Sequence, residues 1–256
     1  MEIYRGFATM YDELMQDIPY QKWGDYIFEC IKKQYKNVKK PLVLDLACGT
    51  GNMTIHLSKK GFDMIGVDLS IDMLAAAQQK SYEQGQKILF LAQDMRELDL
   101  YGTIDAAVSV CDGLNYILDR ADICKVFERV RLFLNPGGIF IFDMNTEYKF
   151  KELFAGLSFE STTQSGAACE WDNNYDEVTK INEYRVCFSN NKNEQAGKAD
   201  QFIEVHKQRT YDTEDVIQML KTCGFEKVSA YHEYTQEPPK PDSIRITYIA
   251  EVGIFI

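Results

Sequence analysis

The stretch LDLACGTGN, residues 44–52, decides how the rest of the sequence is interpreted. An apolar strand candidate carries an acid, Asp45, and two glycines, Gly49 and Gly51, then flank one small residue. Glycine has no side chain, so a ligand can lie directly against the backbone of such a loop. In an open parallel sheet, ligands bind outside the carboxyl ends of the strands, where the winding direction reverses. The stretch therefore predicts a strand, a ligand-binding loop and the start of a helix.

The hydrophobic pattern around this loop predicts an α/β fold. Short apolar segments alternate with segments of helical periodicity, which is typical of a mostly parallel sheet that helices cover on both faces. Seven segments are strand candidates for this doubly wound sheet: LVLDLA (42–47), FDMIGVD (62–68), KILFLA (87–92), IDAAVSVC (104–111), IFIFDM (139–144), KVSAYHEY (227–234) and IRITYIAEVGIF (244–255).

Two other segments depart from the alternating pattern. Residues 3–36 have helical spacing and predict two N-terminal helices on either side of Pro19. Residues 146–211 start with a helix candidate and then alternate as half-buried strands do, which predicts a small antiparallel sheet. We therefore divide the chain into a main domain, residues 1–145 and 212–256, and an inserted β-rich lid, residues 146–211.

Composition limits the possible partners. The 256 residues carry a formal net charge of −11, which disfavours a partner bound through phosphates, such as nucleic acid. The seven cysteines form no CxxC pair, so we expect free thiols and no metal site. The N-terminus lacks the apolar core of a signal peptide, and no apolar run reaches membrane-spanning length. We expect a cytoplasmic protein without a membrane partner, either a monomer or a homodimer.

Two cofactors could occupy the glycine loop. A dinucleotide favours the pattern GxGxxG, but Thr54 replaces the third glycine here, and Asp45 lies where such a strand is usually apolar. S-adenosylmethionine carries an amino group and a sulfonium and no phosphate, so it tolerates a nearby acid. Asp68, at the end of the second strand candidate, is spaced to accept hydrogen bonds from ribose hydroxyls of either cofactor.

The third strand candidate leads into AQDMREL, residues 92–98. Asp94 could accept a hydrogen bond from the adenine amino group, and Met95 could pack on the adenine ring. Alternatively, Asp94 caps a helix that begins at Met95. Together with the other two strand-end motifs, the spacing favours an adenosine site.

The motifs LDLACGTGN, VDLS, AQDM and LNPGGIFIFD occur in this order within residues 42–144, and together they resemble the class I S-adenosylmethionine-dependent methyltransferases. FATMYDEL and VSVCDGLNYI further resemble the Firmicute small-molecule methyltransferases and the sugar-amine N-methyltransferases. The resemblance implies a Rossmann-like methyltransferase fold whose β-rich insertion forms a lid over the substrate. It also implies that Tyr11 closes over the methionine end of the cofactor.

These observations define a set of candidate site residues. Tyr11, Asp112 and Asn115 are the catalytic candidates. The alternative for Tyr11 is packing in the core, because it lies in an apolar stripe, and the alternative for Asp112 and Asn115 is a capped turn. The candidate cofactor contacts are Tyr11, Trp23, Asp45, Ala47, Gly49, Gly51, Asp68, Leu69, Asp94, Met95 and Cys111.

The sequence predicts methyl transfer from S-adenosylmethionine to a small-molecule acceptor, by N- or O-methylation. An amine acceptor needs no strong base, so the absence of an obvious base motif is compatible with this function. Two alternatives remain: a non-catalytic S-adenosylmethionine-binding sensor or assembly protein, and a nicotinamide-dependent oxidoreductase.

Overall fold

A computed structural model describes residues 8–162, 167–190 and 200–254 of the chain. The helices are α1 (Ala8–Leu14), α2 (Tyr20–Gln34), α3 (Asn52–Lys59), α4 (Ile71–Glu83), α5 (Arg120–Phe133) and α6 (Thr213–Thr222). The strands are β1 (Leu42–Leu46), β2 (Asp63–Asp68), β3 (Leu89–Ala92), β4 (Ile104–Ser109), β5 (Leu134–Asn145), β6 (Ser158–Thr162), β7 (Ala167–Asp176), β8 (Ile181–Asn190), β9 (Asp200–Arg209), β10 (Lys227–His232) and β11 (Arg245–Glu251).

The main sheet confirms the predicted doubly wound architecture. Its seven strands have the spatial order β10-β11-β5-β4-β1-β2-β3. The five strands from β5 to β3 are parallel, whereas β11 pairs antiparallel with both β5 and β10. The winding direction reverses between β1 and β4, so the glycine loop after β1 lies at the switch point of the sheet.

Hydrophobic residues fill both faces of this sheet, as a parallel sheet requires. One cluster joins α5 and α6 to the sheet and contains Phe127, Phe140 and Phe142. The other joins α2 and α3 to the opposite face and includes Ile27 and Ile55. Within the described ranges, no helix combines the length and apolarity needed to cross a bilayer.

Two elements differ from the sequence-based expectation. Strand β5 begins at Leu134 and not at Ile139, because its pairing with β4 shifts register where the glycines of NPGG form a bulge. The helix candidate after residue 146 is a single π-helical segment, Lys149–Phe154. Of the predicted N-terminal helical region, residues 1–7 lie outside the described residues.

A second, antiparallel sheet in the order β6-β7-β8-β9 lies within the predicted insertion, as expected from its alternating pattern. Cys169 and Val186 on its buried face pack against Met73 of α4 and against Tyr11 and Leu14 of α1. Helix α1 therefore connects the lid to the cofactor side of the main domain. The exact limits of the insertion, residues 146–211, remain a prediction.

Candidate active site

A cavity of about 990 Å³ opens at the carboxyl ends of the parallel strands. Of the thirteen candidate site residues, eight line this cavity: Tyr11, Ala47, Gly49, Asp68, Leu69, Asp94, Met95 and Cys111. Because the strands are parallel, their carboxyl ends meet at one edge, and residues distant in sequence converge there.

The loop after β1 presents its backbone to the cavity. Ala47 and Gly49 have positive φ angles of 59° and 53°, so the chain turns sharply as it leaves the strand. A Cβ atom added to Gly49 would meet nothing within 4 Å, so glycine is required by the backbone conformation and not by crowding. The turn keeps this part of the backbone bare where a ligand can lie.

Asp68 at the end of β2 fixes two adjacent loops. Its Oδ2 accepts a hydrogen bond from the backbone N–H of Gly49 at 2.8 Å, and its Oδ1 accepts one from Ser70 at 2.9 Å. Burial raises the pKa of this carboxyl, although the backbone N–H donors oppose the shift. A carboxylate has about four lone-pair sites, so Asp68 can also accept hydrogen bonds from two vicinal hydroxyls.

Asp94 follows β3 and has the capping role considered from the sequence, whereas its contact with adenine remains a prediction. Its side chain caps the short 3-10 helix Met95–Glu97 by accepting from the backbone N–H of Arg96 at 2.9 Å. The same carboxylate pairs with the Arg96 guanidinium, whose hydrogen bonds lower the pKa of Asp94. Asp94 and Met95 also line the cavity.

Helix α1 is attached across the glycine loop by a single carboxylate. Asp12 accepts hydrogen bonds from Thr50 Oγ1 at 2.7 Å and from Asn52 Nδ2 at 2.9 Å, and it forms an ion pair with Lys80 of α4. This attachment places Tyr11 in the cavity wall. Burial raises the pKa of the Tyr11 phenol, and neighbouring Tyr20 adds to the shift, so this group stays protonated.

The turn after β4 is held in an unusual backbone conformation. Cys111 and Asp112 are consecutive non-glycine residues with φ of 59° and 58°, which costs roughly 1–2 kcal/mol per residue. Both backbone N–H groups donate to the buried carboxylate of Asp143 on β5, at 3.0 and 2.8 Å. Asp143 thus stabilises the conformation that exposes Cys111 to the cavity.

Arg245 of β11 lies between two carboxylates beneath this turn. Its guanidinium donates to Asp143 and, at 2.9 Å, to Asp112. Burial alone would lower the pKa of Arg245, but Asp143 and then Asp112 outweigh it and raise the pKa well above its ordinary value. The hydroxyl of Tyr234 also donates to Asp143, which completes a buried network.

Two catalytic candidates, Asp112 and Asn115, do not line the cavity, and their catalytic role remains a prediction. Asp112 accepts hydrogen bonds from Arg245 and from Gln208 Nε2, so its carboxylate is a support for the turn. Asn115 is fully buried, and its amide bonds to the backbone of Asn145 and Arg209. Asn115 therefore ties β5 to β9.

Three predicted cofactor contacts also lie outside the cavity wall. Trp23 is buried, stacks on Tyr234 with centroids 4.7 Å apart, and lies 5.1 Å from the Arg245 guanidinium. Gly51 precedes α3 with a φ of 77° and packs against α4. Asp45 lies fully buried behind the loop, where Thr54 Oγ1 donates to it at 2.5 Å. Each of these three residues supports the site from behind.

Sequence reasoning missed several residues of the wall, among them Tyr20, Gln93, Val205 and Lys207. Tyr20 begins α2 directly after Pro19. The sequence could have indicated this residue, because an aromatic side chain with a hydroxyl stands at the start of a predicted helix. Val205 and Lys207 come from the insertion, and strand alternation alone did not indicate which face of β9 would meet the cavity.

The charge of the cavity wall tests which cofactor fits. Five carboxylates and two cations are among the lining residues: Asp68, Asp72, Asp94, Asp119 and Asp122, with Arg96 and Lys207. A pyrophosphate would meet mostly like charge here, whereas a ligand with an ammonium and a sulfonium would meet opposite charge. Thr54 also bonds Asp45 at the position where a dinucleotide loop has glycine. The wall therefore fits S-adenosylmethionine.

This fold and cavity define an S-adenosylmethionine-binding α/β enzyme, and comparison with known proteins agrees. Residues 43–138 match a family model described as a methyltransferase domain. The chain is 38% identical over 253 residues to the Bacillus subtilis (strain 168) protein named "Putative methyltransferase YqeM", and the match covers 97% of both chains.

Solved structures extend the comparison. An S-adenosylmethionine-dependent methyltransferase from Clostridium acetobutylicum ATCC 824 is 32% identical, with a TM-score of 0.85 over 98% of this chain and 99% of that one. The sugar N-methyltransferase KedS8 from Streptoalloteichus sp. ATCC 53650 shares the fold at 18% identity, with a TM-score of 0.77 over 93% and 90% of the two chains. The chain belongs to the class I S-adenosylmethionine-dependent methyltransferases.

Proposed function

We propose that this methyltransferase acts on a small-molecule amine or hydroxyl that binds between the lid and the end of β4. The observation that carries the proposal is the extent of the cavity. It continues from Asp68 and Asp94, at the adenosine end, to Tyr11, Cys111 and Tyr116, beside the lid. One cavity thus offers space for the cofactor and for a second, small ligand next to it.

The proposed roles of the cofactor-binding residues follow from their geometry. Asp68 accepts from the ribose hydroxyls, Asp94 accepts from the adenine amino group, and Met95 and Leu69 pack on the adenosine. The bare backbone at Ala47 and Gly49 borders the methionine part, and Tyr11 closes over it together with Cys111. When bound, S-adenosylmethionine supplies a methyl carbon that its positively charged sulfur activates toward a nucleophile.

The main task of the protein is then to align the acceptor and to exclude water. Correct positioning contributes up to about 7–11 kcal/mol in favourable intramolecular reactions. Helix α1 and the lid cover the cavity from two sides, since Tyr11 packs in one cluster with Cys169 and Val186 of the lid. A site covered from two sides suits a metabolite better than a polymer.

Two further observations support the acceptor class. The net charge of −11 and the acidic cavity wall disfavour a nucleic acid backbone. The shared fold with a sugar N-methyltransferase favours an amine over a hydroxyl as the first acceptor to test.

The test is transfer of tritium from methyl-labelled S-adenosylmethionine to a metabolite extract, separated by size and charge, with tRNA and DNA in parallel reactions. We expect label in a small, amine-containing fraction. Label in tRNA or DNA without any labelled small molecule would refute the proposal.

A further inference from the structure

A chain of hydrogen-bonded groups runs from the cavity wall into the buried face of the lid. The hydroxyl of Tyr116 lies 3.1 Å from Nδ1 of His206 and 2.5 Å from the hydroxyl of Tyr184. On the other side of the imidazole ring, Nε2 of His206 lies 3.2 Å from Oε2 of Glu204. We refer to Tyr116, Tyr184, His206 and Glu204 as the lid relay.

Only one end of the lid relay reaches the cavity. Tyr116 lines the wall, whereas the side chains of His206 and Glu204 are 1% and 9% exposed. Tyr184 lies opposite His206 in the β8–β9 pairing and stacks on its ring, with centroids 4.8 Å apart and an interplanar angle of 4°. Among the described residues, Tyr116 therefore links the buried imidazole and carboxylate to the cavity.

The hydrogen-bond partners within the lid relay determine which nitrogen of His206 and which hydroxyl oxygens carry hydrogen. A carboxylate accepts hydrogen bonds, so Nε2 of His206 carries the hydrogen toward Glu204, and Nδ1 of the neutral ring is then an acceptor for Tyr116. Burial raises the pKa of the Tyr184 phenol, so this group remains a donor to Tyr116. The oxygen of Tyr116 therefore gives its own proton to His206 and faces the cavity as an acceptor.

We propose that Tyr116 is a catalytic residue that removes the acceptor's proton and that His206, positioned by Glu204, stores that proton during methyl transfer. This inference rests on the proposed function above, because it requires an N–H or O–H acceptor beside Tyr116. It differs from the sequence-based expectation, which assigned the acceptor side to Asp112 and Asn115 and gave no role to Tyr116.

The proposed step is balanced in atoms and charge. A bond forms between the acceptor nitrogen or oxygen and the methyl carbon, while the carbon–sulfur bond breaks and leaves its electron pair on sulfur. The acceptor's proton passes to the Tyr116 oxygen, and the original Tyr116 proton passes to Nδ1 of His206. The positive charge lost from sulfur thus ends on an imidazolium that the Glu204 carboxylate stabilises.

Among the described residues, the charged and titratable neighbours of His206 include three groups in direct contact with it. Glu204 lies on the same strand, Tyr184 stacks from β8, and Tyr116 approaches from the turn after β4. Beyond them, Asp112 acts electrostatically on Tyr184, and Tyr11 of α1 packs in the cluster that contains Tyr184. Any pH dependence of the lid relay therefore reflects all of these residues together and not His206 alone.

The first test reads the protonation state without turnover. Nitrogen-15 NMR of histidine-labelled protein with S-adenosylhomocysteine should show a neutral ring with hydrogen on Nε2 for His206 at pH 8. The chain has three histidines, and comparison with His206→Asn identifies the signals of this one. Hydrogen on Nδ1 at pH 8 would overturn the proposal, because that nitrogen could not receive the proton.

The second test measures tritium transfer from labelled S-adenosylmethionine to the metabolite extract between pH 6 and pH 9. His206→Asn keeps an acceptor for the Tyr116 hydroxyl but has no basic nitrogen. We expect this variant and Tyr116→Phe to lose about 10²-fold or more of the turnover. We also expect His206→Asn to bind S-adenosylhomocysteine as tightly as wild type.

Tyr175→Phe is the matched control, because this lid phenol bonds to Thr210 and does not line the cavity. It should retain wild-type turnover. A wild-type rate in His206→Asn between pH 6 and pH 9 would overturn the relay while leaving the proposed function intact. Absence of any labelled small molecule in the wild-type reaction would instead refute the proposed function, and the NMR result would still decide the protonation of His206.

Discussion

The two ends of the cavity are built in different ways. At the cofactor end, the fixed contacts are close in sequence: Asp68 bonds to Gly49 and Ser70, which are 19 and 2 residues away. At the end where we propose that the acceptor binds, called the acceptor end below, Asp112 bonds to Gln208 and Arg245, which are 96 and 133 residues away. A site made by neighbouring loops can be recognised as short motifs, whereas a site made by distant strands depends on the completed fold.

The two ends also bury carboxyl groups by different means. Asp143 at the acceptor end is paired with Arg245 and accepts from Tyr234 and two backbone N–H groups. Asp45 behind the cofactor loop accepts a hydrogen bond from the Thr54 hydroxyl and has no paired cation among the described residues, and burial raises its pKa to about 7. A countercharge neutralises the first carboxyl, and a bound proton neutralises the second below about pH 7.

Removal of Arg245, the countercharge of Asp112 and Asp143, should give the largest effect on stability. Arg245→Met leaves Asp112 and Asp143 without their buried partner, and we expect a loss of about 3–5 kcal/mol in the free energy of unfolding. Urea unfolding followed by circular dichroism measures this loss. Arg245→Lys should give a smaller loss, because it keeps the charge but not the two-pronged geometry.

The matched control is Arg120→Met, which breaks an exposed ion pair with Asp215. It should cost less than about 1 kcal/mol. Equal losses for the Arg245 and Arg120 variants would show that the acceptor-end network does not contribute as a buried unit.

Because Asp45 binds a proton in the folded state, we predict that the free energy of unfolding depends on pH through this residue at the cofactor end. Because the pKa of this carboxyl rises from the ordinary value of 3.8 to about 7 in the folded state, its contribution is fully present below about pH 4 and is lost as the pH rises through 7. The full span is worth up to about 4 kcal/mol. Asp45→Asn should flatten this slope and raise stability at pH 8 relative to wild type.

Urea unfolding of the wild type and of Asp45→Asn at pH 5 and pH 8 measures the free energy of unfolding of each protein. The difference between the two pH values should be smaller in Asp45→Asn, with the native fold retained. If the slope persisted unchanged in the variant, Asp45 would not be the group that binds the proton.

Cofactor affinity should respond to Asp68. Asp68→Ala removes the carboxylate that would accept from the ribose, and we expect S-adenosylhomocysteine binding to weaken by about 1.5–3 kcal/mol. Isothermal titration measures this change, with Asp99→Ala as a control for an exposed carboxylate outside the cavity. Equal affinity in the Asp68 and Asp99 variants would place the ribose elsewhere.

The smallest effect should come from the attachment of α1. Asp12→Ala removes two hydrogen bonds to the glycine loop and a partly exposed ion pair, so we expect a loss of about 1 kcal/mol in S-adenosylhomocysteine binding, mainly through faster release. Stopped-flow dissociation, with exposed Asp17→Ala as the control, tests this. Unchanged release in Asp12→Ala would mean that α1 does not close the cofactor end.

The sequence predicted most of the fold because its signals are local. Alternation of apolar and helical segments indicated each strand of the main sheet. The boundary of β5 was missed, because a bulge is defined by pairing with β4 and not by the residues of the strand alone.

The same difference between local signals and long-range contacts explains which site residues the sequence predicted. Strand-end residues such as Gly49, Asp68 and Asp94 were found from the sequence because a strand end in a parallel sheet always reaches the same edge. Asp112 and Asn115 also follow a strand end, but their side chains bond to β9 and β11 in the folded chain. Only the tertiary structure decided that these two side chains bond to distant strands and that His206 of the lid contacts Tyr116. The reason is that hydrogen-bond partners across separate sheets have no fixed spacing in sequence.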